Sequence, residues 1–271
     1  MTLPSRFWSE LSTRHFEQLA TSPAVAQAVA VLPVAATEQH GPHLPTGVDS
    51  FIVDGVVQAA LPHLPAALPA VFLPTLHIGK SNEHERFAGT LTLSSSTVIQ
   101  EWTEIGAGVA RAGFKKLLLL NAHGGHVGVM DLVARDLRSS QGLIVYSTSW
   151  QNLPLGDAVT GLFSAHEHRF GVHAGDIETS MMLALKPHLV DMALAQNFRS
   201  SSEDRASRYA ILGNGKSAKL GWQMQDVNPQ GAAGNAAAAT ADKGRALLDA
   251  AGLQLARLLQ ELSDLPLTTL N

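Results

Sequence analysis

Glu38 and His40 stand two residues apart at the end of an apolar run, and Asp49 follows nine residues after His40. In an extended segment, side chains two apart point the same way, so both can reach one site. Gly41 and Pro42 stop the run and let the chain turn. Carboxylate and imidazole donors suit a borderline-hard cation such as Zn²⁺ or Mn²⁺. Asp49 also reads as a helix N-cap, and its residue type alone leaves both roles open.

A second cluster is Asn121-Ala122-His123-Gly124-Gly125-His126. Glycines permit tight backbone geometry after a buried strand, which places a histidine well for ligation. A phosphate cradle is excluded, because the glycine order and the missing lysine fit neither nucleotide-binding pattern. A third cluster is His173-Ala174-Gly175-Asp176-Ile177-Glu178. Glu178 shares a helix face with Met182, and a charge on a core-facing surface needs a partner, for which a metal serves. The competing reading is a first-turn acid favoured by the helix dipole. Asp176, closer to the cap, reads as structural. Ser81, Glu83 and His84 form a further polar group, and His166-Glu167-His168 reads as a solvated or substrate-flanking segment. His15, His63 and His188 read as ordinary surface or core histidines.

The elements that must carry these residues alternate. Residues 28–36, 71–76, 116–121 and 143–149 read as buried strands. Residues 49–60, 94–112, 127–138 and 177–185 read as helices, and 236–262 as an Ala/Leu-rich closing helix. Residues 199–235, rich in Gly, Ser and Asn, read as loops with room for a short strand pair. Alternation of strands and helices predicts an α/β fold, a mainly parallel central sheet flanked by helices. One domain over residues 1–271 is expected. Ligands of such sheets sit at the carboxyl ends of the strands. Three of the strands run into the clusters around His40, His84 and His123.

Bulk properties narrow the class. Hydrophobic residues make up 45% of the chain, enough for a sizeable core, and the formal net charge of −4 supplies no basic face for nucleic acid. There is no cysteine, so any transition-metal site must use His and carboxylate ligands. The N-terminal residues lack the pattern of a signal peptide and no apolar run is long enough for a bilayer, so a cytoplasmic location without membrane contact is expected.

Thr37-Glu38-Gln39-His40-Gly41-Pro42-His43-Leu44-Pro45, with Asp49 beyond it, resembles the signature of the creatininase (creatinine amidohydrolase) family. The resemblance continues through Ser81-Asn82-Glu83-His84, Phe87-Ala88-Gly89-Thr90-Leu91, Asn121 to Gly125 and His173 to Ser180. It implies two divalent metals, zinc or manganese, and a cyclic homo-oligomer, often a hexamer. By position Glu38, His40, Asp49 and His123 match metal ligands, with Asp49 bridging. Glu178 matches the carboxylate of members with the Gly-Gly form of the central motif. Creatinine-cleaving members carry an aromatic residue and a metal-binding Glu where this chain has Gly124 and Gly125. The departure points to the wider family, which cleaves other amides. At His126 the family pattern has Asn.

The expected function is a binuclear amidohydrolase that cleaves a non-peptide or cyclic amide C–N bond with metal-activated water. A bridging carboxylate can hold two ions about 3.5–4 Å apart. A protein acid must protonate the leaving nitrogen, and His173 is the first candidate, with His126 and His84 behind it. Ser81, Glu83, Gly124 and Gly125 are the expected substrate-side residues. The alternative is a metal-binding or regulatory member of the fold without catalysis.

Overall fold

The computed structural model describes residues 4–270. Helix α1 (Thr13–Ala20) precedes strand β1 (Val29–Val34) and helix α2 (Val48–Ala60). Strand β2 (Ala70–Phe72), helix α3 (Ser95–Arg111), strand β3 (Lys116–Asn121), helix α4 (Val127–Gln141) and strand β4 (Ile144–Ser149) follow. The remainder holds α5 (Asp157–Thr160), α6 (Ala165–Phe170), α7 (Asp176–Leu185), β5 (Asn197–Phe198), α8 (Ser202–Arg208), α9 (Met224–Val227), β6 (Gly234–Asn235) and α10 (Ala241–Asp264).

The first four strands form one parallel sheet in the order β2-β1-β3-β4. Strands β1, β2 and β3 are buried at every position because both faces are covered, whereas the edge strand β4 is half exposed. Val29, Val31, Leu118 and Leu120 face a core shared with α2, α7 and α10. Ala30, Leu32, Leu117 and Leu119 face a second core built with α1, α3 and α4. Truncating a central leucine such as Leu118 to alanine is expected to cost about 2–5 kcal/mol. The α/β expectation of a mainly parallel sheet flanked by helices therefore holds. Among the described residues, no helix is long and apolar enough to cross a membrane.

Two boundaries differ from expectation for local reasons. The second strand ends at Phe72 rather than at residue 76. The Pro33 carbonyl accepts from the Leu76 N–H, so the edge on which Pro33 lacks its own N–H faces that segment. Pro74 lies opposite, and pairing resumes only at the Val34–Leu76 bridge. The closing helix starts at Ala241 rather than 236, because the Thr240 side chain accepts from the Lys243 N–H and caps it there. The glycine-rich segment does contribute a strand, β6, paired antiparallel with β5 just outside it, and it also holds the short helices α8 and α9.

Candidate metal centre

The carboxyl end of the parallel sheet gathers the polar clusters. Glu38 and His40 follow β1, and the His40 Nδ1–H donates to the Glu38 carbonyl at 3.0 Å. That bond fixes the ring and turns Nε2 toward Asp49 Oδ1, 3.4 Å away. Helix α2 is capped by Gly47 with no side-chain cap bond, so Asp49 sits inside the first turn with its carboxylate in the site. Its Oδ2 lies 3.2 Å from His123 Nδ1, and Glu38 Oε1 lies 3.1 Å from the same nitrogen.

His123 is held by the turn after β3. Asn121 Oδ1 accepts from the His123 N–H at 3.0 Å and Asn121 Nδ2 donates to the His123 carbonyl. The other ring nitrogen, Nε2, donates to the Lys80 carbonyl at 2.9 Å. An imidazole anchored in this way presents its remaining nitrogen as a ligand. Glu178, in the first turn of α7, accepts the Ala174 N–H at 2.5 Å. Ala174 holds a left-handed φ of 54° to deliver that amide.

Glu38, His40, Asp49, His84, His123 and His173 are all buried, and Glu178 is partly so. Glu38 Oε2, His40 Nε2 and Asp49 Oδ2 have no hydrogen-bond partner. Buried polar atoms of this kind are costly unless something satisfies them, and an O/N donor set fits a divalent cation. Ligand atoms fall within 4.8 Å of one another in Glu38/His40/Asp49, Glu38/Glu83/His123, Glu38/His84/His173 and His40/His173/Glu178.

Electrostatics follow this packing. Burial opposes the charge on Asp49, yet the His123 and His40 imidazoles hold its carboxyl well below the usual carboxylate range. Burial works against imidazolium at His40, but Asp49, Glu178 and Glu38 raise its pKa to about 9. His123 is likewise raised against burial by Glu38, Asp49 and Glu83. Burial, then His40, lowers His173 to about 4, and burial, then His173, lowers His84 further. Burial raises Glu178. Carboxylates and imidazoles here share protons in a way that a cation would displace.

A cavity of about 530 Å³ opens on this cluster. Glu38, Asp49, His123, His173, Glu178, His84, Glu83, Gly124 and Gly125 line it. The His173 ring lies between those of His40 and His84, with centroids 4.2 and 4.4 Å away. Two expected site residues stand behind the cavity wall. Ser81 is buried with Oγ 3.4 Å from His123 Nε2, so it faces His123 and not the cavity. His126 is fully buried, its Nε2 accepting the Lys80 N–H at 3.1 Å and its Nδ1 donating to Asn121 Oδ1 at 3.1 Å. Both nitrogens are thus engaged, Trp102 lies edge-on to the ring at 4.9 Å, and His126 does not line the cavity.

Other placements correct or extend the sequence picture. In the segment expected to be solvated, Glu167 is buried, while His166 is exposed and pairs with Glu203 at 3.5 Å. Asp176 is structural, bonded to Lys243 Nζ at 2.7 Å and Ser180 Oγ at 3.0 Å. Gln39, quoted only as part of a signature, meets His84 Nδ1 through its amide Nε2 at 2.7 Å. Lys80, Gln151, Leu220 and Trp222 line the cavity and carried no sequence signal, because three of the four lie in irregular segments without spacing to read.

The family model for creatininase, described as creatinine amidohydrolase, matches residues 9–259. The mycofactocin precursor peptide peptidase of Mycobacterium tuberculosis is 32% identical over 187 residues, covering 66% of this chain and 65% of that protein, so the alignment spans slightly under two thirds of the relative's length. The creatinine amidohydrolase of Pseudomonas putida is 30% identical over 202 residues, covering 69% of this chain and 75% of that protein. A solved manganese creatininase superposes with a TM-score of 0.75 at 25% identity, covering 95% of this chain and 98% of that one. On the match over nearly its whole length and on the shared fold, the chain belongs to the creatininase (creatinine amidohydrolase) family.

Proposed function

We propose that the chain hydrolyses an amide-type C–N bond and requires two divalent cations, zinc or manganese. The observation that carries this reading is the Asp49 carboxylate, whose two oxygens face two different imidazoles, Oδ1 toward His40 and Oδ2 toward His123. Glu38, Asp49 and His123 would hold one cation, and His40, Asp49 and Glu178 the other. Divalent ions bound there supply Lewis acidity, lowering the pKa of water toward about 7 and polarising an amide carbonyl.

The remaining steps belong to the protein. Three carboxylates offset most of the charge of two dications within a buried site. The His173 Nε2–H is committed to the Gln39 carbonyl at 2.8 Å, which leaves Nδ1, 3.9 Å from Glu38 Oε1, as the nitrogen that moves a proton to the leaving amine. His84 is the second carrier through Nε2, since its Nδ1 meets the Gln39 amide. Gly124 and Gly125 leave that stretch of the cavity wall without side chains, and Trp222 and Gln151 offer apolar and polar contacts to the bound amide. Self-association belongs to the same reading, supported by the exposed Ile211, Leu212 and Leu220; light scattering should return a multiple of the chain mass.

The test is a panel of cyclic amides, formamides and short peptide amides, assayed with Zn²⁺ or Mn²⁺ and again after chelation. Chelator-sensitive release of amine from at least one class is expected, with creatinine turned over weakly. Two bound cations with no turnover across the panel would favour the non-catalytic metal-binding alternative.

A further inference from the structure

Glu167 touches no group of the metal centre, yet it is 1% exposed on a six-residue helix otherwise facing solvent and loop. Its Oε1 accepts the Asp176 N–H at 2.7 Å and its Oε2 accepts the Asn235 N–H at 2.8 Å. A carboxylate that accepts two backbone amides makes charge-assisted bonds of about twice the strength of neutral ones. The two amides belong to different segments. Asp176 opens α7, the helix of Glu178, and Asn235 lies on β6.

The surroundings are built to admit this carboxylate. Gly171, Gly175 and Gly234 all approach it so closely that a Cβ at any of them would overlap the Glu167 carboxyl group or the facing backbone. Gly175 is the N-cap of α7, and Gly234 holds φ +138°. Between the two, His173 and Ala233 exchange backbone hydrogen bonds of 3.3 and 2.8 Å. The stretch 173–176 is thus clamped against 233–235 by one antiparallel bridge and one buried carboxylate. That stretch presents His173, the strained Ala174 whose N–H holds Glu178, and the first turn of α7.

We infer that Glu167 is a positioning residue for the cation held by His40, Asp49 and Glu178, acting through the Asp176 amide and the 173–176 backbone rather than by contact. The inference rests on the two-cation reading above. It separates Glu167 from Asp176, whose own carboxylate turns away to Lys243. Replacing one Glu167 oxygen by an amide nitrogen would set a donor against a backbone N–H at one end of the clamp. The backbone of 173–176 would then loosen and Glu178 would lose its fixed direction, while Glu38 and His123, anchored from β1 and β3, would be left alone.

The test compares Glu167→Gln with the native protein in two measurements. Calorimetric titration with Zn²⁺ is expected to show the second cation weakened about 10–100-fold in the variant, the range seen when an outer partner of a metal ligand is lost, and the first within about threefold of native. Hydrogen exchange on both metal-free proteins is expected to show amides 174–178 exchanging at least tenfold faster in the variant, with α10 unchanged. Unchanged exchange across 174–178 overturns the inference however many cations bind, and so does equal weakening of both cations. A native chain that takes up only one cation defeats the two-cation reading, and the exchange result then decides the positioning role. Should the variant fail to fold, the native protein still decides: the Asp176 and Asn235 amides must be protected, and rapid exchange at both overturns the clamp.

Discussion

The Ala174 N–H donates to the Glu178 carboxylate at 2.5 Å, and Ala174 alone among the described non-glycine residues adopts a positive φ to do so. A non-glycine residue in this region costs about 1–3 kcal/mol and persists only where the surroundings enforce it. Here the left-handed backbone directs the Glu178 carboxylate, whose ligand atom lies within 4.8 Å of those of His40 and His173.

The first prediction follows. Glu178→Gln preserves shape but removes the charge that faces His40. It should lower kcat at least about a hundredfold, comparable to disrupting a metal-site contact, and reduce cation stoichiometry from two toward one. If Glu178 were only a first-turn acid, the loss would be limited to about 0.3–1 kcal/mol of helix stability with activity intact. Elemental analysis beside steady-state kinetics separates the two.

Asp49→Asn should act differently. Its carboxylate faces both His40 and His123, so its loss should weaken both cations together and not one. The same calorimetric titration reads this as a parallel fall of two affinities, each of about tenfold or more. Loss of one cation with the other unchanged would show that Asp49 belongs to a single set.

Much of the centre was legible because parallel strands deliver their carboxyl ends to one side. Glu38, His40 and His123 follow apolar runs directly, so their convergence needed only the sheet. Asp49 was ambiguous until Gly47 proved to be the cap, a choice made by the backbone turn after Pro45. Glu167 was illegible: its partners, the Asp176 and Asn235 amides, lie 9 and 68 residues further along the chain and meet only in the fold, and His-Glu-His after a loop looks solvated. Ser81 and His126 were placed on the cavity by proximity in sequence, yet their hydrogen bonds draw them behind it. The early end of β2 depends on Pro33 in the neighbouring strand, a relation that exists only once the strands pair.

His126 supplies the third prediction. Burial, then His123, pushes its imidazole well below the usual range, consistent with a neutral ring that accepts from Lys80 and donates to Asn121. His126→Asn should therefore cost stability before chemistry. Leaving the Lys80 N–H without an acceptor is expected to cost about 1–3 kcal/mol. Thermal melting should show the loss, while kcat falls less than in Glu178→Gln. A larger effect on kcat than that of Glu178→Gln would reverse the two roles.

The glycine pair offers a matched contrast. A Cβ on Gly125 would overlap Glu83 Oε1 and His123 Nε2, whereas a Cβ on Gly124 meets nothing within 4 Å. Neither position requires a left-handed φ. Gly125→Ala should push His123 off the Lys80 carbonyl and weaken the cation held with Glu38 by about tenfold or more, as expected when an outer contact of a ligand is broken. Gly124→Ala should leave cation affinity and melting temperature near native. Equal behaviour of the two variants would show that the close packing at Gly125 does not govern His123.

Cation uptake should depend on pH in a defined window. In the metal-free protein His40 is held protonated up to about 9, mainly against burial, by Asp49, Glu178 and Glu38. A cation at Nε2 must displace that proton, so its affinity should rise with pH by up to about tenfold per unit until pH reaches about 9 and level off above it. The stability linkage has the opposite sign. A folded-state pKa above the unfolded one contributes stability that is complete below about 6.5 and lost as pH rises through about 9. The metal-free protein should therefore melt lower as pH climbs through this window, while the loaded protein, whose His40 no longer titrates, should show less change. Calorimetry in two buffers of different ionisation enthalpy counts the protons released, and about one or more per pair of cations is expected. Zero release at pH 7.5 would mean that His40 is already neutral in the metal-free chain and that Asp49 does not control it.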